Sequence, residues 1–141
     1  MLHEMTSHEN MRTNIEALGL PEHPARVLVV DDELLVAQGI MSTLKALGFD
    51  IVGPCKNGEE AIANCREDKP DIVLMDIQMP VMNGMQAAQI IFPELDIPVV
   101  MLTAYSDDTY LRNCVAAGVF GFLLKPASSE QLSAGITVAW E

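Results

Sequence analysis

Five side chains of types that act in phosphate chemistry each follow an apolar run of the sequence. They are Asp31, Asp32, Asp76, Thr103 and Lys125. If the runs bring them together, the carboxylates repel one another, so the site must bind protons or hold a cation. Oxygen ligands with no His or Cys beside them suit Mg²⁺ rather than zinc. A carboxylate can accept a phosphoryl group when a cation and a hydroxyl lie beside it to stabilise the phosphoryl oxygens.

The apolar runs predict strands that alternate with helices. Strands are predicted at residues 26–30, 49–52, 71–75, 97–102 and 119–124. The helices between them begin near Leu34, Asn57, Gly84, Asp107 and Ser128, and the third is expected to close at Pro93. Such alternation specifies an α/β fold, because parallel strands need crossover connections. We expect the flavodoxin-like doubly wound sheet with five strands in the order 2-1-3-4-5 and five helices.

This strand order predicts that the reactive side chains meet. The second strand lies at an edge and ends at Gly53-Pro54, with no reactive group. The other four strands carry theirs to the crevice beyond the carboxyl ends of the sheet, where ligands bind. Asp76 follows the central strand and is therefore the best-placed phosphoacceptor.

Each of these residues also has an ordinary structural interpretation. Asp31 and Asp32 could cap a helix, and Asp76 could form a turn. Thr103 could be a strand or cap residue, and Lys125 a solvated surface charge. Their joint placement at four strand ends favours a single site over these independent explanations.

Composition bounds the function. The formal net charge is −12, from 20 acidic and 8 basic residues, which disfavours binding to nucleic acid. The apolar runs are too short for a membrane helix, and the N-terminus lacks the apolar centre of a signal peptide, so a soluble cytoplasmic protein is expected. The dispersed Cys55, Cys65 and Cys114 are expected to be buried small hydrophobic residues.

Residues 1–25 precede the alternating pattern and show no sustained period. We predict an N-terminal extension there, with the domain spanning residues 26–141. The sequence leaves open whether the extension is mobile or docks on the domain.

Four motifs together resemble the receiver domain of bacterial two-component response regulators, the CheY-like family. They are Val29-Val30-Asp31-Asp32-Glu33, Leu74-Met75-Asp76-Ile77-Gln78-Met79-Pro80 with Asn83-Gly84, Leu102-Thr103-Ala104, and Leu124-Lys125-Pro126. The resemblance extends from about Arg26 to Ala139. It implies a phosphorylation switch that modifies itself rather than an enzyme that turns over a substrate.

The resemblance implies a role for each acidic residue. Asp32 and Asp76 would ligate Mg²⁺ directly, together with the carbonyl of Gln78, and Asp31 would act through water. Asp76 would take a phosphoryl group from a histidine kinase or a histidine phosphotransfer protein.

The resemblance also implies roles for the remaining motif residues. Thr103 and Lys125 would contact the phosphoryl group, and the Lys125–Pro126 peptide bond would be cis. Phe122 matches the family's aromatic switch position, although an ordinary core aromatic is the alternative. Gln78 and Tyr105 would border the path of the attacking water.

The expected readout surface consists of the fourth predicted helix, the fifth strand and the fifth helix. It includes Tyr110, Leu111 and Arg112, and Trp140 either lies there or closes the core. A homodimer through this surface is one expectation, and no contact of this domain with nucleic acid or membrane is expected. The downstream partner is not indicated.

Several alternatives stay open at this point. The chain could be a stand-alone receiver, a phosphorelay shuttle, or the receiver part of a longer regulator with an RNA-binding antitermination output. A haloacid-dehalogenase-type phosphatase needs a second Asp where Gln78 stands. A flavodoxin needs a phosphate-binding loop where Asp31-Asp32-Glu33 would repel phosphate.

Overall fold

The sheet has the predicted strand order. A computed structural model describes residues 24–104, 112 and 119–140. Its strands are β1 (Arg26–Val30), β2 (Asp50–Cys55), β3 (Ile72–Met75), β4 (Val99–Thr103) and β5 (Gly121–Leu124). All pair in parallel, in the order β2-β1-β3-β4-β5. The flavodoxin-like order predicted from the sequence is therefore confirmed.

Four helices lie within the described residues. They are α1 (Leu34–Ala46), α2 (Gly58–Asp68), α3 (Gly84–Leu95) and α4 (Ser129–Trp140). The helix predicted at 107–117 lies outside the described residues, except for Arg112, which is helical and exposed. The predicted extension lies outside them as well, apart from Pro24 and Ala25.

Helices cover both faces of the sheet. Successive strand residues point to opposite faces, so each strand contributes to two buried clusters. Leu28 and Val30 of β1 belong to a buried cluster that includes residues of α2 and α3. Val27 and Val29 belong to a second cluster that includes residues of α1 and α4. This burial explains the nearly continuous apolar runs and leaves the strand ends as the place for polar chemistry.

Side-chain caps fix where the helices begin. The Asn57 side chain accepts the Glu60 N–H at 2.9 Å, as predicted. Ser128 and Gln131 each accept the other's backbone N–H, at 3.1 and 2.9 Å, so the predicted cap at Ser128 is also confirmed. Asn83 forms a capping box at the start of α3. These caps satisfy N–H groups that have no partner within the helix.

Two ends that were predicted from proline residues were wrong. Pro93 lies inside α3, which continues to Leu95 and ends at a left-handed Asp96. Strand β2 does not stop at Gly53-Pro54 but continues to Cys55, with an irregular register against β1. An edge strand tolerates proline because one side of its backbone is unpaired.

Two smaller expectations also have an outcome. Cys55 and Cys65 are buried free thiols in the cluster under α2 and α3, as predicted, whereas Cys114 lies outside the described residues. None of the helices that the structure describes has the length and apolar character that crossing a membrane requires.

Candidate functional site at the carboxyl ends of the strands

Backbone hydrogen bonds hold the two buried aspartates at the ends of adjacent central strands. The Asp31 N–H donates to the Cys55 carbonyl at 2.9 Å, and the Asp76 N–H donates to the Val30 carbonyl at 3.0 Å. Each aspartate thus continues the bonding pattern of the sheet just past the end of its strand. The main chain therefore fixes the origin of both side chains.

Asp31, Asp32 and Asp76 form one carboxylate cluster. Their ligand oxygens all lie within 4.8 Å of one another. Asp31 is 3% exposed and Asp76 is 9% exposed, while Asp32 faces solvent. Three oxygen donors with one open side are a donor set that fits Mg²⁺, which prefers oxygen ligands and retains several waters. The cluster that the sequence predicted is therefore present.

Lys125 supplies the counter-charge in this cluster. Its Nζ lies 2.6 Å from Asp31 Oδ2 and 3.4 Å from Asp76 Oδ2. The other Asp31 oxygen accepts the Glu33 N–H at 2.9 Å, so Asp31 is held from both sides. Asp31 is therefore firmly oriented, whereas the longer contact leaves Asp76 less tightly paired.

The pKa shifts follow from this arrangement. Burial raises the pKa of Asp76 above its ordinary value, Lys125 opposes that rise, and the charge of Asp31 adds to it. Burial acts to lower the pKa of Lys125, but its hydrogen bond to Asp31 and the charges of both aspartates outweigh burial and raise it. Asp31, Asp32, Asp76 and Lys125 together form an acidic cup. The ionised form of Asp76 is stabilised by any further cation placed in this cup.

Thr103 is fully buried at the end of β4. Its carbonyl accepts the Lys125 N–H at 2.7 Å, so the main chains of the two residues are joined directly. The Lys125–Pro126 peptide bond is cis, as the resemblance implied. All the predicted strand-end residues thus lie at the carboxyl ends of the parallel strands.

The loop after Asp76 packs closely on that residue's own backbone. The Gly84 N–H donates to the Ile77 carbonyl at 2.8 Å. A Cβ atom on Gly84 would overlap the Asp76 carbonyl oxygen. From the sequence this glycine was only part of a turn signal, and its contact with the Asp76 backbone could not be foreseen. Gln78 lies exposed in the same loop.

The remaining predicted residues have different outcomes. Phe122 lies on β5 opposite Met101 and is partly buried against the core under α2 and α3. This position is compatible with both interpretations given from the sequence. Tyr105, Tyr110 and Leu111 lie outside the described residues. Trp140 packs partly buried against the other core.

Sequence reasoning missed two residues beside the cup. It assigned no reactive group to the second strand, but Lys56 and Glu60 line a cleft together with Asp31 and Asp32. Lys56 directly follows β2 and could have been recognised as a strand-end residue. It was overlooked because β2 was predicted to end too early.

A family model agrees with this geometry. The model of the response regulator receiver domain matches residues 27–137. Among solved structures, the signal receiver domain of NarL from Mycobacterium tuberculosis is 28% identical, with a TM-score of 0.80, and the match covers 84% of this chain and 97% of that one. CheY4 from Vibrio cholerae is 28% identical, with a TM-score of 0.76, over 82% of this chain and 98% of that one.

Curated relatives are longer than this chain. The transcriptional regulatory protein PdtaR of Mycobacterium tuberculosis is 36% identical over 82% of this chain and 57% of its own length. The transcriptional regulatory protein YdfI of Bacillus subtilis is 38% identical over 76% of this chain and 51% of its own length. The chain thus spans about half the length of the curated relatives it matches.

Proposed function

Because the chain belongs to the response-regulator receiver family, we propose that Asp76 is the carboxylate that accepts the phosphoryl group. One observation carries this assignment. Asp76 lies at the end of the central strand with Asp31, Asp32 and the Lys125 ammonium all close to its carboxylate. Asp31 is already held by Lys125 and the Glu33 N–H, and Asp32 does not contact Lys125 among the described ion pairs.

The donor set supports Mg²⁺ as the cofactor. Asp32, Asp76 and the Gln78 carbonyl would hold the ion, with Asp31 acting through water. When bound, it would supply positive charge to the phosphoryl oxygens and neutralise the carboxylates. Among the described residues, only aspartates make up this cluster, and a set of carboxylates without His or Cys favours Mg²⁺ over zinc.

The chemical step is one substitution at phosphorus. An Asp76 Oδ atom forms a bond to phosphorus while the bond from phosphorus to the donor histidine nitrogen breaks. The electron pair of that bond stays with the imidazole, and the product is an acyl phosphate. Lys125 and Thr103 hold the phosphoryl oxygens and stabilise their charge during transfer.

Phosphorylation then acts as a switch. It places about two negative charges on the phosphoryl oxygens beside Lys125 and Thr103, in place of the single charge of the Asp76 carboxylate. Interaction of these groups with the phosphate would shift a two-state equilibrium, with Phe122 repacking on β5. The output surface would include β5, α4 and the segment at 107–117, either toward a partner or in a homodimer. Gln78 and Tyr105 would govern how fast water removes the phosphate.

The donor would be a histidine kinase or a histidine phosphotransfer protein. The relatives PdtaR and YdfI are named transcriptional regulatory proteins, and about half of each lies outside the match. We infer that this receiver controls an output module that regulates transcription. An RNA-binding antitermination module and a phosphorelay role are the alternatives.

Labelling by a small phosphodonor tests the assignment of Asp76. With phosphoramidate and Mg²⁺, the wild-type protein should gain one phosphoryl group by intact-protein mass spectrometry, and Asp76→Asn should gain none. Asp96→Asn is the matched control, because Asp96 caps α3 at the opposite end of the sheet and asparagine accepts its left-handed backbone. An Asp76→Asn protein labelled at the wild-type rate would refute the assignment.

A further inference from the structure

A cleft of about 310 Å³ opens from the carboxylate cup toward the end of β2. Its walls include Asp31 and Asp32 on one side and Lys56 and Glu60 on the other. The Asp31 N–H is bonded to the Cys55 carbonyl, so the main chain holds these two walls together. The cleft therefore shares Asp31 and Asp32 with the carboxylate cluster and adjoins it.

The two lysines near the cup have different surroundings. Lys125 follows β5 and Lys56 follows β2, so they approach from opposite edges of the sheet. The Lys125 side chain is 18% exposed and bonded to two aspartates, whereas the Lys56 side chain is 74% exposed. Of the described residues that line the cleft, Lys56 alone carries a positive charge.

Glu60 contacts both the backbone and the side chain of Lys56, but it holds the Lys56 ammonium only weakly. Glu60 Oε1 accepts the Lys56 backbone N–H at 3.3 Å, and its own N–H is capped by Asn57. The ammonium lies 3.9 Å from Glu60 Oε2, at the outer limit of an ion pair. An exposed pair at this distance holds the lysine weakly, so its charge is available to an incoming anion.

We propose that Lys56 speeds phosphorylation by favouring the approach of anionic phosphodonors to the cup. This inference rests on the proposed function. A donor phosphoryl group is negatively charged and must approach three carboxylates whose nearest ammonium is already occupied by Asp31 and Asp76. A cation on the open side offsets this repulsion and raises the association rate.

The same charge has the opposite effect on a cation. Lys56 attracts a phosphodonor but repels Mg²⁺, so its removal should slow labelling and tighten metal binding. Glu60→Gln should do the reverse, because glutamine still accepts the Lys56 N–H while the negative charge is lost. A purely structural defect in the cup would instead weaken both processes together.

The test measures the two processes separately. Isothermal titration gives the affinity for Mg²⁺ alone, and the initial rate of labelling by acetyl phosphate at saturating Mg²⁺ gives the donor step. In that step Asp76 bonds to phosphorus and acetate leaves with the electron pair of the broken P–O bond. The proteins are wild type, Lys56→Gln, Glu60→Gln, and Lys45→Gln as a control from the last turn of α1.

Lys56→Gln should label about two- to fivefold more slowly at low salt, the scale of one exposed charge, and bind Mg²⁺ about twofold more tightly. The difference in labelling rate should largely vanish at roughly 0.5 M NaCl, because salt screens exposed charges. Lys45→Gln should match the wild type in both measurements.

Two results would overturn the inference while leaving the proposed function intact. One is a Lys56→Gln protein that matches Lys45→Gln in both measurements. The other is a loss of labelling and of Mg²⁺ affinity together in Lys56→Gln. A wild-type protein that takes no phosphoryl group would instead refute the proposed function, and this inference with it.

Discussion

At the scale of single residues, the cup holds more negative charge than its lysine compensates. Lys125 contacts Asp31 and Asp76, but Asp32 brings a third carboxylate within 4.8 Å. Burial raises the pKa of Asp76, and the charge of Asp31 adds to that rise, despite the nearby ammonium. The metal-free protein stores an unfavourable electrostatic interaction at the position where the phosphoryl group is proposed to be accepted.

This interaction predicts that Asp76→Asn stabilises the metal-free protein. The carboxyl of Asp76 has a pKa near 3.8 when unfolded and a higher pKa when folded. Ionisation of Asp76 therefore disfavours the folded state fully above the folded pKa, and the penalty disappears as the pH falls below about 3.8. At neutral pH the variant should gain about 1 kcal/mol, because asparagine removes a charge that burial disfavours.

Urea unfolding with a chelator present measures this gain. The advantage of Asp76→Asn over wild type should shrink as the pH is lowered from about 7 to about 4. Asp96→Asn should show no comparable gain at neutral pH. An Asp76→Asn protein less stable than wild type at neutral pH would contradict the predicted sign.

At the scale of elements, the cup depends on how α3 begins. Gly84 is the first residue of α3, and a side chain there would overlap the Asp76 carbonyl oxygen. The conflict involves two backbone segments, so no rotamer change can relieve it. The first turn of α3 therefore sets the position of Asp76, the proposed acceptor.

Gly84→Ala should consequently lose about 1–3 kcal/mol of stability, the usual cost of overpacking, and should also label more slowly. Gly39→Ala in α1 is the matched control. A Cβ there meets nothing within 4 Å, so this variant should gain about 0.5–1 kcal/mol from helix propensity and label normally. Equal stability and equal labelling of the two variants would show that the contact at Gly84 is not limiting.

The elements also show where sequence reasoning succeeded and where it failed. Periodicity placed the described strands and helices, since two-sided burial leaves a clear apolar pattern in β1, β3 and β4. Pro93 and Gly53-Pro54 misled it, because proline rules describe a local backbone and not the pairing or packing that extends an element. The cleft at Lys56 was missed for the same reason.

The site was more predictable than its details. The types of Asp31, Asp32, Asp76, Thr103 and Lys125 and the strand order were sufficient to predict that they meet. The unequal contacts of Lys125 with the two aspartates, and the overlap at Gly84, depend on distances of a few ångströms between segments remote in sequence. Such distances leave no pattern in the sequence.

At the scale of the whole molecule, the cup links cation binding to folding. Its carboxylates follow β1 and β3 and its ammonium follows β5, so the unfolded chain has no equivalent site. Any ion that binds only the folded state stabilises all of it. Mg²⁺ should therefore raise the resistance of the entire domain to unfolding.

Wild-type protein should gain about 1.4 kcal/mol when Mg²⁺ is tenfold above its Kd. Lys125→Met should be less stable than wild type without Mg²⁺, because the carboxylates lose their counter-charge. Its gain at the same Mg²⁺ concentration should be larger, because the ammonium no longer competes for the Asp31 and Asp76 oxygens. Urea unfolding over a Mg²⁺ series measures both effects, and an equal gain in the two proteins would contradict the competition.

The ion pair between Asp31 and Lys125 spans 94 positions of the chain. During synthesis the aspartates leave the ribosome long before the lysine does, so an incomplete chain presents bare acid without its ammonium. Only a chain translated beyond β5 can assemble the pair. The paired carboxylate site is therefore completed only near the end of the domain's synthesis.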